Sequence, residues 1–169
     1  MCHAHHHLYG TTIACLRLFT VFGPRQRPDL AIHKFTRLMD GGEPVPMFGD
    51  GTTERDYTYV EDTLDGIEGA LRWARGSGGP RYEIVNLGEN RTVSLRRMID
   101  VIAGEMGVDP EIRELPAQPG DVERTWADTA KALRLFGYEP RWGFQEGVKE
   151  FVRWYRLMRS AVPAATGTR

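Results

Sequence analysis

The 169-residue sequence predicts an α/β fold on three observations. Two short, almost wholly apolar runs, Ile13–Phe19 and Tyr82–Leu87, read as strands of a parallel sheet, whose shielded faces need no polar alternation. Between and after them, apolar residues recur at three- and four-residue spacing, the period of a helix with one face on a core. Strand-like and helix-like segments alternate without internal repeat, as in layered α/β domains.

Taken in order, Met1–Tyr9 is helix-compatible and stops at Gly10, which readily takes the left-handed conformation at a helix end. The continuous apolar character of Ile13–Phe19 predicts a strand covered on both faces. Ala31, Phe35, Leu38 and Met39 share one helical face, and Gly41-Gly42 ends that helix. Val45–Phe48 reads as a short strand whose Pro46 points to a sheet edge, followed by the turn Gly49-Asp50-Gly51. Alternation beyond that turn puts Arg55, Tyr57 and Tyr59 on one side, Asp56 and Thr58 on the other.

Leu64, Ile67, Leu71 and Ala74 recur at helical spacing in a second helix, which opens near Glu61 and Asp62, acids that complement the helix dipole. Gly76–Pro80 is a loop before the strand Tyr82–Leu87. Ser94 is an N-cap for a third helix with Leu95, Met98, Ile99, Ile102 and Met106 on its inner face. Ile112–Leu115 reads as a strand, and Asp128 or Thr129 as the cap of a helix that stops at Gly137. Phe144, Val148, Phe151, Val152 and Tyr155 form the stripe of the last helix. No linker divides the chain.

A formal charge of −1 argues against nucleic acid or an anionic membrane as partner, since neither would be drawn by the net field. Only Lys34, Lys131 and Lys149 are lysines; the other basic residues are arginines, whose planar forks suit anions. Two cysteines make no disulfide framework, and no apolar run approaches membrane-spanning length, so a cytoplasmic protein is expected. Cys2, His3, His5, His6 and His7 resemble a metal cluster, but a helix puts His3 and His7 on one face and His5 and His6 elsewhere, so no metal site is assigned.

Three segments carry candidate chemistry. LRLFTVFGPRQRPD, Leu16–Asp29, runs a strand into a proline-stiffened turn that presents Arg25 and Arg27 beyond a strand's carboxyl end, where α/β sheets bind ligands. Either arginine could grip a diphosphate or carboxylate, or pair with a structural acid. GDGTTERDYTYVEDTLDG, Gly49–Gly66, contains Arg55-Asp56-Tyr57, with Asp56 and Asp62 read as structural holders of a loop and a helix start. QPGDVERTWAD, Gln118–Asp128, contributes an acceptor-only carboxylate at Asp121, then Trp126-Ala127-Asp128 as packing and capping residues. Asn86 reads as a tie between backbone groups.

In this order and spacing the segments resemble the C-terminal half of the extended short-chain dehydrogenase/reductases, in the NAD-dependent epimerase/dehydratase family, most like the UDP-glucuronate 4-epimerases. The resemblance covers residues 1–158. It implies residues 1–29 as the last parallel strands of a Rossmann-like NAD(P)-binding fold, 30–158 as mainly the small α/β nucleotide-sugar-binding region, and 159–169 as a disordered tail. By resemblance, Arg55 contacts the diphosphate, Asp121 the ribose diol, Thr20 the sugar's C4 to C6 region, and Arg27 reaches toward the nucleotide. Backbone groups at Leu18 and Val21 would face the carboxamide of NAD. Gln118 stands where many hexose epimerases carry an arginine, which leaves Arg27 and Arg55 as the main counter-charges.

The resembled enzymes hold NAD on a glycine-rich turn and take the substrate proton with a tyrosine four residues before a lysine. Neither motif occurs here: the residues four beyond Tyr9, Tyr57, Tyr59, Tyr82, Tyr138 and Tyr155 are Ile13, Glu61, Thr63, Asn86, Trp142 and Arg159. The resemblance places the first residue just downstream of the catalytic pair. It implies an epimerase part that is inactive alone, with a UDP-sugar as ligand and either a separately encoded N-terminal half or self-association as partner. Other readings are a stand-alone UDP-sugar module, an inert remnant, or, within the family, a 4,6-dehydratase or UDP-glucuronate decarboxylase.

Overall fold

A computed structural model describes residues 1–161. The order is α1 (Cys2–Tyr9), β1 (Ile13–Leu18), β2 (Thr20–Phe22), α2 (Ala31–Asp40), β3 (Val45–Phe48), β4 (Glu54–Arg55), β5 (Tyr57–Tyr59) and α3 (Val60–Arg75). Then follow β6 (Tyr82–Leu87), β7 (Val93–Ser94), α4 (Leu95–Met106), β8 (Ile112–Leu115), α5 (Ala130–Phe136) and α6 (Phe144–Ala161). Of the tail expected at 159–169, residues 159–161 close α6 and 162–169 lie outside the described residues.

Among the described residues three of the four strand pairs are parallel: β1 with β6, β2 with β5, and β3 with β8; β4 and β7 are antiparallel. The run Ile13–Phe22 changes partner midway. The Phe19 N–H still donates to the Leu87 carbonyl (3.0 Å), while the Thr20 N–H donates to the Asp56 carbonyl (3.2 Å). That switch sets Thr20 beside Tyr57 in the β2–β5 register.

Capping follows the sequence chemistry. Gly10, Gly107 and Gly137 are left-handed at the ends of α1, α4 and α5. Ser94 Oγ accepts from the Arg97 N–H at the start of α4 (3.1 Å), and Asp128 Oδ1 accepts from the Ala130 N–H at the start of α5 (3.0 Å). The main core joins α2, α4 and α6 to β2, β3 and β5 through Phe22, Ile32, Met47, Met98, Ile102 and Phe151. A smaller one joins Val85 and Leu87 of β6 to Ala70 of α3 and to Ala132, Phe136 and Tyr138.

Two expectations are corrected here. Helix α3 does not bury its leucine stripe: Leu64 is 53% and Leu71 50% exposed, and the inner face is Asp62, Thr63, Gly66, Gly69 and Ala70. Close approach explains this, because a Cβ on Gly66 would meet Leu87 at 2.8 Å and one on Gly69 would meet Phe136 at 2.9 Å. Strand β1 is not covered on both faces; its residues are half-buried or exposed, and among the described residues only β6 pairs with it.

Candidate functional site

The site is built around Asp56, between β4 and β5, which is 0% exposed. Its Oδ1 accepts from the Glu89 N–H (2.8 Å) and the Thr58 hydroxyl (3.1 Å); its Oδ2 accepts from the N–H groups of Asn90 (3.1 Å) and Ala127 (3.0 Å). A buried carboxylate is tolerable when its lone pairs are satisfied in this way. The bonds lock three distant segments together, and Gly88 permits the contact: a Cβ there would stand 2.3 Å from Ala127 Cβ. Asp62 does the same work at the start of α3, accepting from the N–H groups of Arg141 and Trp142, both at 3.0 Å. Both acids are therefore the structural holders their sequence context suggested. Asn86 is a backbone tie as expected, its Nδ2 donating to the Asp128 carbonyl (3.3 Å).

On this frame the neighbouring Arg55 faces Asp121. Its Nη2 donates to Asp121 Oδ1 across 66 residues of sequence, and its Nη1 donates to the Glu54 carbonyl (2.8 Å). Arg55 is largely buried and Asp121 about half exposed, so the pair lies at the rim of the fold with one member wet. Gln118 is exposed in the same loop, and its carbonyl accepts from the Asp121 N–H (3.2 Å). Arg27 instead pairs with Asp29 (3.3 Å), both well exposed, and no hydrogen bond or ion pair joins it to Arg55 or Asp121 among the described residues. Thr20 lies on the Asp56 side of the strand switch, Leu18 is 48% exposed at the end of β1, and the Val21 carbonyl is taken by Gln26 Nε2 (3.2 Å).

Sequence reasoning missed the brace behind Arg55. Glu54 Oε2 holds the Arg124 guanidinium (3.0 Å) and the Thr92 hydroxyl (2.7 Å), and the Glu54 N–H donates to the Glu123 carbonyl (2.8 Å). Arg124 lies over the Trp126 ring (5.1 Å), whose Nε1 donates to Asn90 Oδ1 (3.2 Å). Trp126, expected as a packing residue, is 56% exposed and acts through its edge and face. No local pattern could have found this set, because Thr92 lies 38 residues from Glu54 and Trp126 36 residues from Asn90, and Arg124 is farther still from Glu54.

Glu89 is the most perturbed acid near the site. Burial first, then the Asp62 and Asp56 carboxylates, push its pKa from 4.5 to about 7, opposed by Arg91. Burial also raises Tyr57, against the pull of Arg55, and raises Tyr138, whose hydroxyl donates to the Gly88 carbonyl (2.9 Å). A cleft of about 890 Å³ is lined by Glu54, Ser94, Arg97, Glu105, Phe144 and Lys149, and by none of Thr20, Arg27, Arg55, Gln118 and Asp121. Among the described residues no three His, Cys, Asp or Glu side chains could hold a metal ion; the His3 and His6 rings pack on Tyr82. No described helix is long and apolar enough to cross a membrane.

The NAD dependent epimerase/dehydratase family model matches residues 1–88, more than half of the chain and inclusive of β1, the arginine turn and Arg55-Asp56-Tyr57. The chain belongs to that family. This epimerase/dehydratase chain is 39% identical over 155 residues to an uncharacterized protein of Methanocaldococcus jannaschii, covering 92% of this chain and 46% of that one. It is 37% identical over 153 residues to a UDP-glucuronate 4-epimerase of Thermodesulfobacterium geofontis, covering 90% and 46%. The crystal structure of UDP-glucuronic acid 4-epimerase from Bacillus cereus, in complex with UDP-glucuronic acid and NAD, superposes with a TM-score of 0.84 at 33% identity, covering 93% of this chain and 49% of that one. The chain thus spans about half the length of the relatives it matches, and its α/β architecture with parallel strands matches that of the B. cereus structure.

NAD itself does not fit the described residues as a complete ligand. A dinucleotide's pyrophosphate needs backbone amides at a helix N-terminus after a glycine-rich turn. Here β1 runs on into β2, and β6 runs into the turn clamped by Asp56. No chemical step is therefore derived through it.

Proposed function

We propose that this chain is the nucleotide-sugar-gripping part of an NAD-dependent 4-epimerase that acts on UDP-glucuronate. The observation that carries the reading is the Arg55–Asp121 pair. One strand and one distant loop bring together the cation suited to a diphosphate and the acceptor suited to a ribose diol. In this reading the two hold each other until UDP divides them, Arg55 turning to phosphate oxygens and Asp121 accepting from the two hydroxyls. Thr20 lies at the strand switch, where the sugar would enter, and Arg27 is free to exchange its exposed partner Asp29 for the ligand. The relative from T. geofontis and the solved structure from B. cereus, both named for UDP-glucuronate epimerisation, support the choice of sugar. Thr20 and Gln118 favour epimerisation over the dehydratase and decarboxylase chemistries of the same family.

Turnover is not assigned to this chain alone. No tyrosine stands four residues before a lysine, so the group that would take the 4-hydroxyl proton is not supplied by it. Among the described residues one edge of β1 is unpaired, and that edge and the exposed Leu18 support a partner along it, either a separately encoded N-terminal half or a second copy.

The test is calorimetric titration with UDP, with NAD as control. Saturable UDP binding is expected, weakened about tenfold or more by Arg55→Ala and by Asp121→Ala, the worth of a charge-assisted hydrogen bond. A demonstrably folded chain that gives no heat with UDP sinks the proposal.

A further inference from the structure

The turn that presents Arg25 and Arg27 is held in a costly shape. Arg25 is left-handed at φ 67°, where a side chain is rarely found. Gln26 folds beneath the turn, with its Nε2 donating to the Val21 carbonyl (3.2 Å) and its Oε1 buried without a partner among the described residues. Its backbone is used at both ends: the N–H donates to the Gly23 carbonyl (3.1 Å), and the carbonyl accepts from His33 Nδ1 (2.7 Å). Because a carbonyl only accepts, that last bond places the proton of His33 on Nδ1. The His33 ring is itself seated edge-on against Phe151, Trp154 and Tyr155 of α6, with centroids 5.4 to 5.9 Å away. A strained residue and an orphaned acceptor persist only where surrounding bonds over-determine them, and such places cluster where geometry serves function.

We infer that Gln26 and His33 are positioning residues that hold the Gly23–Pro28 turn so that Arg27 meets the nucleotide sugar. The inference rests on the reading of Arg27 as a ligand residue. Gln26 ties the turn to β2, and His33 carries the rigidity of α6 to it. Among the described residues the Arg27 side chain is held only by the exposed Asp29, so its direction is set by the backbone that these two residues fix.

The experiment is titration of the full chain with UDP-glucuronate, together with amide hydrogen exchange over residues 23–30 without ligand. His33→Phe keeps the aromatic contact and removes the donor; Gln26→Leu keeps the size and removes the tie to Val21. Each should weaken binding about fivefold, the worth of one hydrogen bond, and each should speed exchange in the turn. His33→Asn, whose amide N–H can stand in for Nδ1, should restore binding to within about twofold of the parent. In the Arg27→Ala background His33→Phe should cost nothing more, as expected for residues that act through one another. If Arg27→Ala weakens binding but His33→Phe does not, or costs the same in both backgrounds, the positioning role is wrong. If Arg27→Ala changes nothing, the reading of Arg27 as a ligand fails, and the positioning role fails with it. Unchanged exchange at 23–30 in both His33→Phe and Gln26→Leu overturns the role even if no ligand binds.

Discussion

Around α2, α4 and α6, Ile32, Met98, Ile102, Val148 and Phe151 are wholly buried, while the β1–β6 ladder and α3 leave Leu18, Ile84, Leu64 and Leu71 38–53% exposed. The two regions share a chain and a composition but not a degree of closure. In the first, three helices and two strand pairs surround a continuous apolar volume. In the second, one parallel pair packs on the glycine face of α3 and on α5, and apolar surface remains on the outside. The lesson is that the region around α2, α4 and α6 closes on a continuous core, whereas the β1–β6 ladder and α3 leave apolar side chains partly exposed.

The contrast can be broken most forcefully by truncation. Phe151→Ala should lower unfolding free energy by about 3–5 kcal/mol, and Leu71→Ala by no more than about 0.5 kcal/mol, in urea titrations. Similar losses for both would mean that the second region is as closed as the first. A second expectation concerns association. The isolated chain should self-associate in light scattering as concentration rises, and Leu18→Glu should shift it toward monomer, because a charge on that edge opposes pairing. A monomer unchanged on concentration would remove the argument for an uncovered edge.

The smallest effect sharpens the picture of the Asp56 clamp. Folding raises the Glu89 carboxyl from 4.5 to about 7, so between those values the folded state keeps a proton that the unfolded state has lost. Stability should therefore fall as pH rises through that window, by about 1 kcal/mol once solvent screening of a half-buried group is allowed for, and level off above it. Glu89→Gln should flatten that part of the curve; an equal slope in the variant would show that other groups cause it.

The α/β class and most helix ends were legible in the sequence, because they depend on neighbours. Ser94 caps α4 through a residue three positions away, and Gly137 stops α5 by its own conformational freedom. Arg55 and Asp121 were singled out by resemblance, yet nothing local showed that they would bond to each other. The inner face of α3 was misjudged for a related reason: helical spacing marks leucines as candidates for burial, but burial goes to whichever face lets the backbones approach.

By itself, then, the sequence determined the period of each segment, its caps, and the residue types available to grip an anion, since these are properties of short stretches of chain. Only the tertiary structure decided that Asp56 would gather amides from residues 89, 90 and 127, that Arg124 and Trp126 would brace Glu54, and that His33 would hold Gln26. Those bonds join groups up to 71 residues apart, and their partners are chosen by how helices and strands dock rather than by what lies next along the chain.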